Sequence, residues 1–146
     1  MNKKKIIAWS LFLFWLMLIF FFSSQNGNAS SELSNGFLKT IEKITHIPLT
    51  NNFFSLLIRK TAHFLEYLIL GILSCNLVKQ YRILKKKEYV FIFLFCLLYA
   101  SSDEFHQMFV GGRTPQVFDI LIDSLGSLTG LSCFALAHKI RERKNL

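Results

Sequence analysis

The chain has 146 residues, 52% of them apolar and 18% charged, with 16 Phe, three Cys and a formal charge of +8. That length allows one domain, the apolar content excludes a disordered chain, and three cysteines set among hydrophobic runs exclude a disulfide-stapled secreted module. A basic balance invites a nucleic-acid reading, so the placement of the charges must decide.

Four apolar runs follow one another along the chain. Residues 6–22 carry no charge and come directly after Lys3, Lys4 and Lys5. Residues 61–78 are apolar apart from His63, Glu66 and a few small polar groups. Residues 89–100 are uncharged and continue into Ser101, Ser102, Asp103 and Glu104, and residues 117–137 are broken only by Asp119 and Asp123. A membrane helix needs about 20 apolar residues, with about 17–25 tolerated. The first and fourth runs meet this directly, the second and third with their polar ends included. No comparable stretch alternates with a period of two. Four helices apolar nearly all round would leave a soluble bundle too little polar surface. The expected fold is therefore all-α, an integral membrane bundle of four transmembrane helices. Residues 6–137 form the transmembrane domain and residues 138–146 a basic cytoplasmic tail.

The first run could be mistaken for a cleaved signal, because Gly27-Asn28-Ala29 offers small residues for cleavage. Its length exceeds the roughly 7–15 residues of a signal h-region, which favours a retained helix. Between the first two spans, Leu33, Phe37, Ile41 and Ile44 recur at helical spacing, with Ser and Glu before them and Pro48 as a stop. This predicts a short amphipathic helix lying in the outer interface or packed on the outer end of the bundle. Thr50-Asn51-Asn52 then caps the second spanning helix, which starts near Phe53 and runs to Val78. At 1.5 Å per residue that helix is roughly 39 Å long, so it needs tilt or an interfacial first turn. Cys75, Cys96 and Cys133 all fall within helices and read as small buried apolar groups, not as a bridge.

Charge asymmetry sets the orientation. With the amino terminus cytoplasmic, the inner segments hold Lys3, Lys4, Lys5, Lys79, Arg82, Lys85, Lys86, Lys87, Lys139, Arg141, Arg143 and Lys144, twelve of the 17 basic residues. Only Lys39, Lys43, Arg59, Lys60 and Arg113 lie elsewhere. This is the positive-inside pattern, and both termini are expected in the cytoplasm. It explains the basic charge without nucleic acid, for which no groove-reading motif is present. The cluster Lys85-Lys86-Lys87 is placed to touch anionic lipid head groups.

The remaining polar residues sit where a bilayer makes them expensive. On the second helix Arg59, His63 and either Glu66 or Tyr67 share a face, and Asp119, Asp123, Gly126 and Gly130 do so on the fourth. Asp103, His106 and Gln107 share one if the third helix continues that far, and Arg113 lies in the turn Gly111-Gly112-Arg113-Thr114-Pro115. Helix rise places Asp119 about 3 Å, and Glu66, Asp103 and Asp123 about 9–10 Å, below the outer boundary of a core about 30 Å thick. An ionisable group at a helix centre costs about 2.5–3.5 kcal/mol on insertion scales, less near the interface. Arg59 and Arg113 could balance Glu66, Asp103, Asp119 and Asp123 in a purely structural ion-pair network. Buried pairs of that kind are often no better for stability than apolar packing, so a polar cavity with a chemical task is the stronger reading.

Three functions suit such a cavity. The arginines can bind phosphate or another anionic head group while His63 or His106 carries a proton and the carboxylates assist. Alternatively His63, Glu66, Asp103, His106, Asp119 and Asp123 can hold a divalent metal, although no tight ligand motif occurs. A proton or ion relay is the third reading, but the polar layer stops halfway across the bundle. Gly126 and Gly130 read as a close helix contact.

The run Arg59-Lys60-Thr61-Ala62-His63-Phe64-Leu65-Glu66-Tyr67 with Gly71 closely resembles the second-helix motif of VanZ-like proteins. So does Ser102-Asp103-Glu104-Phe105-His106-Gln107, followed by Phe109-Val110, Gly112-Arg113, Asp119, Asp123, Gly126 and Gly130, and Ser23-Ser24-Gln25 resembles a third block of that family. The resemblance spans residues 6–137. It implies a multi-pass protein of the bacterial cell membrane. The family's namesake confers low-level resistance to the glycopeptide teicoplanin. The resemblance further implies chemistry on lipid head groups or lipid-linked cell-wall precursors at the outer leaflet, or else a non-catalytic factor that binds an envelope precursor or the antibiotic. On that basis His63, Glu66, Asp103, His106, Asp119 and Asp123 are the catalytic candidates. Arg59, Arg113, Tyr67, Ser102, Gln107, Ser24 and Gln25 are the substrate-binding ones, with the last two closing the pocket from the first helix.

Overall fold

The computed structural model describes residues 2–48, 51–81, 84–114 and 116–144, which form five helices: α1 (Lys3–Ser23), α2 (Gly27–Thr45), α3 (Asn52–Lys79), α4 (Lys86–Gln107) and α5 (Val117–Lys144). Thr50, Arg82 and Pro115, which figure in the expected cap, inner loop and turn, lie outside the described residues.

Short polar side chains start the first three helices. Asn2 accepts the Lys4 N–H at 3.4 Å, Asn26 the Ala29 N–H at 2.8 Å and Asn51 the Phe54 N–H at 3.0 Å. Each supplies an acceptor to one of the donors that a helix start leaves unsatisfied. Asn26 sets α2 several residues earlier than the Ser and Glu signals suggest. That helix ends at His46, which is left-handed at φ 58°, ahead of Pro48. At the start of α4 the Glu88 carboxylate accepts the Lys85 N–H at 3.0 Å. The α4 helix does continue through residues 101–107, and α5 carries on through the basic segment to Lys144, with Arg141, Arg143 and Lys144 favourably placed at its negative end.

The centre of the bundle is the crossing of α3 and α5. A Cβ added at Gly126 or Gly130 would collide with the carbonyl of Phe64 or Leu68, and one at Gly71 would come within 2.7 Å of the Ser127 carbonyl. Small residues let the two backbones meet, the usual source of helix association where lipid is the solvent. Around the crossing Tyr67, Leu70, Cys75, Cys96 and Ala100 are fully buried. Side-chain donors tie α1 to α3 and α4: Trp15 Nε1 donates to the Glu66 carbonyl at 2.9 Å, and Tyr99 Oη to the Leu16 carbonyl at 2.8 Å. Cys133 differs from the other cysteines and from expectation, because it faces outward; all three are free thiols.

The outer surface is apolar. Leu13, Phe14, Met17 and Phe21 of α1, Phe91 and Leu98 of α4, and Leu121 and Leu125 of α5 are all exposed. Three helices, α1, α3 and α5, are long and apolar enough to cross a membrane, and by length and composition they mark a multi-pass membrane protein. The expected count of four spans is not reached on this measure. In α4 the apolar stretch is diluted by Lys86, Lys87 and Glu88 at one end and by Asp103, Glu104 and His106 at the other.

Candidate functional site

Arg59, His63 and Glu66 stand at spacings of four and three on α3, and this single helical face lines a cavity of about 270 Å³. The opposite wall comes from four other segments: Asp103 of α4, Arg113 of the turn, Ser23 and Gln25 at the end of α1, and Ser30 and Ser34 of α2. Phe22, Leu33, Ile58 and Ala62 supply the apolar part of the lining.

Behind His63 lies Asp123, which is wholly buried. The His63 Nδ1 is 3.5 Å from Asp123 Oδ1, a charge-pair separation that is long for a hydrogen bond. Neither Asp123 carboxylate oxygen nor the Tyr67 hydroxyl has a hydrogen-bond partner among the described residues. Asp103 is held differently: the buried Gln107 side chain donates to its Oδ2 at 3.3 Å and to Ser23 Oγ at 3.1 Å.

The turn after α4 is fixed by backbone contacts. Arg113 donates through Nε to the Gln25 carbonyl and through Nη2 to the Phe22 carbonyl, each at 3.0 Å. The Gly27 N–H donates to the Gly111 carbonyl at 3.1 Å. A Cβ on Gly27 would strike the Gly112 carbonyl, and Gly112 itself has a φ of 75°, so both glycines are required for α2 to rest on this turn. Burial lowers the pKa of the Arg113 guanidinium from its ordinary value, and the neighbouring positive charge of Arg59 lowers it further. Two cations therefore face one small cavity, and Arg59 makes no ion pair with any described residue.

The arrangement corrects several expectations. Of the thirteen candidates, Arg59, His63, Glu66, Asp103, Arg113 and Gln25 line the cavity, while Asp123 and Gln107 back its walls. His106 lies aside: its Nε2 is 3.2 Å from Ser24 Oγ, and its ring packs 4.8 Å from that of Phe20. Ser24 is likewise directed to His106 and to the Phe20 carbonyl, so Ser23 takes the place at the cavity. Ser102 is exposed and donates to the Tyr99 carbonyl. Tyr67 is sealed in the core. Asp119 pairs with Lys60, whose ammonium also donates to Gln116 Oε1 at 2.9 Å. Lys60 therefore fills a place that the sequence suggested for an arginine. Nearby, Glu104 accepts the Gln116 N–H at 2.9 Å.

The network expected between the arginines and the carboxylates does not form among the described residues; the ion pairs there are Lys60–Asp119, His63–Asp123 and His138–Glu142. Nor, among them, do three or more His, Cys, Asp or Glu side chains converge as metal ligands, because His106 and Asp119 are directed elsewhere. The donor set does not fit a divalent ion. Sequence reasoning missed Ser30, Ser34 and Lys60. The pair of serines at i and i+4 on α2, a polar stripe beside Leu33 and Phe37, was the available signal.

Chemically, the cavity offers two guanidiniums for an anion, an imidazole backed by a carboxylate for proton transfer, and two further carboxylates. No curated protein and no solved structure matches the chain. A family model described as VanZ/LLP1 matches residues 8–138, a span that includes all the residues lining the cavity. The chain therefore belongs to the VanZ/LLP1 family of VanZ-like membrane proteins.

Proposed function

We propose that this protein is an enzyme of the bacterial cell membrane that acts on phosphate-linked lipid head groups or lipid-linked cell-wall precursors at the outer leaflet. In this reading α4 is a fourth span, both termini are cytoplasmic, and the cavity opens near the extracytoplasmic boundary. The observation that carries it is the convergence of Arg59 and Arg113, from two separate segments and free of any ion pair among the described residues, on the cavity that also holds His63. Guanidinium forks match phosphate oxygens, and an anion would relieve the repulsion between the two cations.

His63, in preference to His106, serves as the proton carrier, with Asp123 stabilising its charged form from behind. Glu66 and Asp103 orient the head group or activate the attacking nucleophile, and Gln107 fixes Asp103 for that task. Altered supply of a lipid-linked precursor would connect this activity to teicoplanin resistance.

A non-catalytic factor that binds an envelope precursor or the antibiotic is the second reading. In its favour, lining hydroxyls are engaged in structure: Ser34 donates to the Ser30 carbonyl at 3.0 Å, and Ser23 accepts from Gln107. Mass spectrometry of lipids and lipid-linked precursors, in cells with and without the protein, separates the two. The enzyme reading expects a wild-type change in composition that His63→Ala and Asp103→Asn abolish at unchanged membrane abundance. Full activity in both variants would end that reading.

A further inference from the structure

We propose that a second cavity, at the lysine-rich end of the bundle, seats one acyl chain of an anionic phospholipid taken from the surrounding bilayer, with Lys5 and Lys87 holding its head group. The cavity lies between α1, α3 and α4 and has a volume of about 440 Å³, within the roughly 300–1,000 Å³ of ligand sites. It shares no residue with the cavity around His63.

The wall is hydrocarbon. Phe12, Leu77, Val78, Phe91, Ile92 and Phe95 supply it, and an empty space between such side chains forfeits dispersion contacts that a lipid chain restores. The few polar groups in the lining are already satisfied. Ser74 Oγ donates to the Leu70 carbonyl at 2.7 Å, the Glu88 carboxylate accepts the Lys85 N–H, and Trp9 Nε1 donates to Tyr81 Oη at 2.8 Å. An acyl chain can therefore enter without leaving a wall donor or acceptor newly unpaired.

The mouth has the opposite character. Trp9 and Tyr81 are both partly exposed and form the kind of amphipathic pair that settles at a head-group boundary. The Lys5 ammonium lies 4.3 Å above the Tyr81 ring, and Lys87 lines the cavity from the first turn of α4. Lys3, Lys4, Lys85 and Lys86 adjoin them in sequence, so positive charge prevails at this opening and complements an anionic head group.

The test uses the full chain in phosphatidylcholine nanodiscs with Trp15→Phe, which leaves Trp9 as the only indole of the two in the chain. Dibrominated phosphatidylglycerol, titrated in at low mole fraction, should quench Trp9 saturably, while dibrominated phosphatidylcholine should quench it only in proportion to its mole fraction. Lys5→Gln with Lys87→Gln should raise the half-saturation point about twenty-five-fold, each lysine contributing about fivefold. Indistinguishable, unsaturable quenching by both lipids would overturn the proposal, since it reports ordinary boundary lipid. Native mass spectrometry of the unaltered protein gives an independent reading. One phosphatidylglycerol retained per chain in preference to phosphatidylcholine supports the site, and lipid-free chains or equal retention of both refute it.

Discussion

The pairing of His63 with Asp123 yields the most quantitative prediction. Their charged atoms are 3.5 Å apart, and the side chains are 11% and 0% exposed. With His63 protonated, the gross attraction at that distance is about 5 kcal/mol for an effective dielectric constant of about 20. Desolvation offsets much of this, so the net worth of the pair is small, but removing one partner strands the other charge at about 3–5 kcal/mol. The nearly isosteric changes His63→Gln and Asp123→Asn each remove one charge while creating little empty space. A double-mutant cycle on reversible unfolding in mixed micelles should find the double variant about as stable as either single one, a coupling of about 3–5 kcal/mol. Independent sites add to within about 0.3–0.5 kcal/mol. Additivity within that margin would refute the claim that the two side chains act as a charged unit, and with it the role given to Asp123.

Other consequences follow from the packing and from the open arginine. Gly130→Val should destabilise the protein by about 1–3 kcal/mol in thermal unfolding, because the new side chain forces α5 away from the Leu68 carbonyl. Gly36→Ala, with nothing within 4 Å of the added methyl in the middle of α2, should slow hydrogen exchange of the α2 amides, as expected for a gain of about 0.5–1 kcal/mol. Arg59→Gln should leave the melting temperature near wild type yet weaken binding of glycerol phosphate about tenfold or more by calorimetry, since a charged hydrogen bond contributes about 1.5–3 kcal/mol. Arg113→Gln should weaken binding and also lower the melting temperature, because that side chain holds two carbonyls at the α1–α2 junction.

Much of the architecture was legible because it depends on periodicity. The stripe of Asp119, Asp123, Gly126 and Gly130 does face α3 throughout, meeting Lys60, His63, Phe64 and Leu68 in turn. Which cation meets Asp119 was not legible, because that depends on the register of the α3–α5 crossing and on the reach of the lysine side chain. His106 shows the same limit at finer scale. It adjoins Gln107 in sequence, but one residue is about 100° around a helix, enough to turn the ring toward Phe20 and away from the cavity. The stripe of α2 was legible but its inward face was not: Ser34 and Leu38 pack inward, while Leu33, Phe37 and Ile44, the stripe the sequence offers to the outer interface or the bundle's outer end, are 55%, 58% and 74% exposed. An apolar stripe faces whatever apolar medium is present, and in a membrane protein that medium includes the bilayer.

The central claim is that charged groups from separate segments share one chamber at the end of the bundle opposite the lysine-rich loop, facing the outside of the cell. Labelling of intact cells with a membrane-impermeant maleimide tests it most directly, with Cys133→Ser removing the exposed native thiol. A single cysteine introduced as Ser30→Cys, in the cavity wall, is predicted to react in intact cells, and one introduced as Lys86→Cys only after permeabilisation. Labelling of Lys86→Cys in intact cells, with Ser30→Cys reacting only after permeabilisation, would contradict the account.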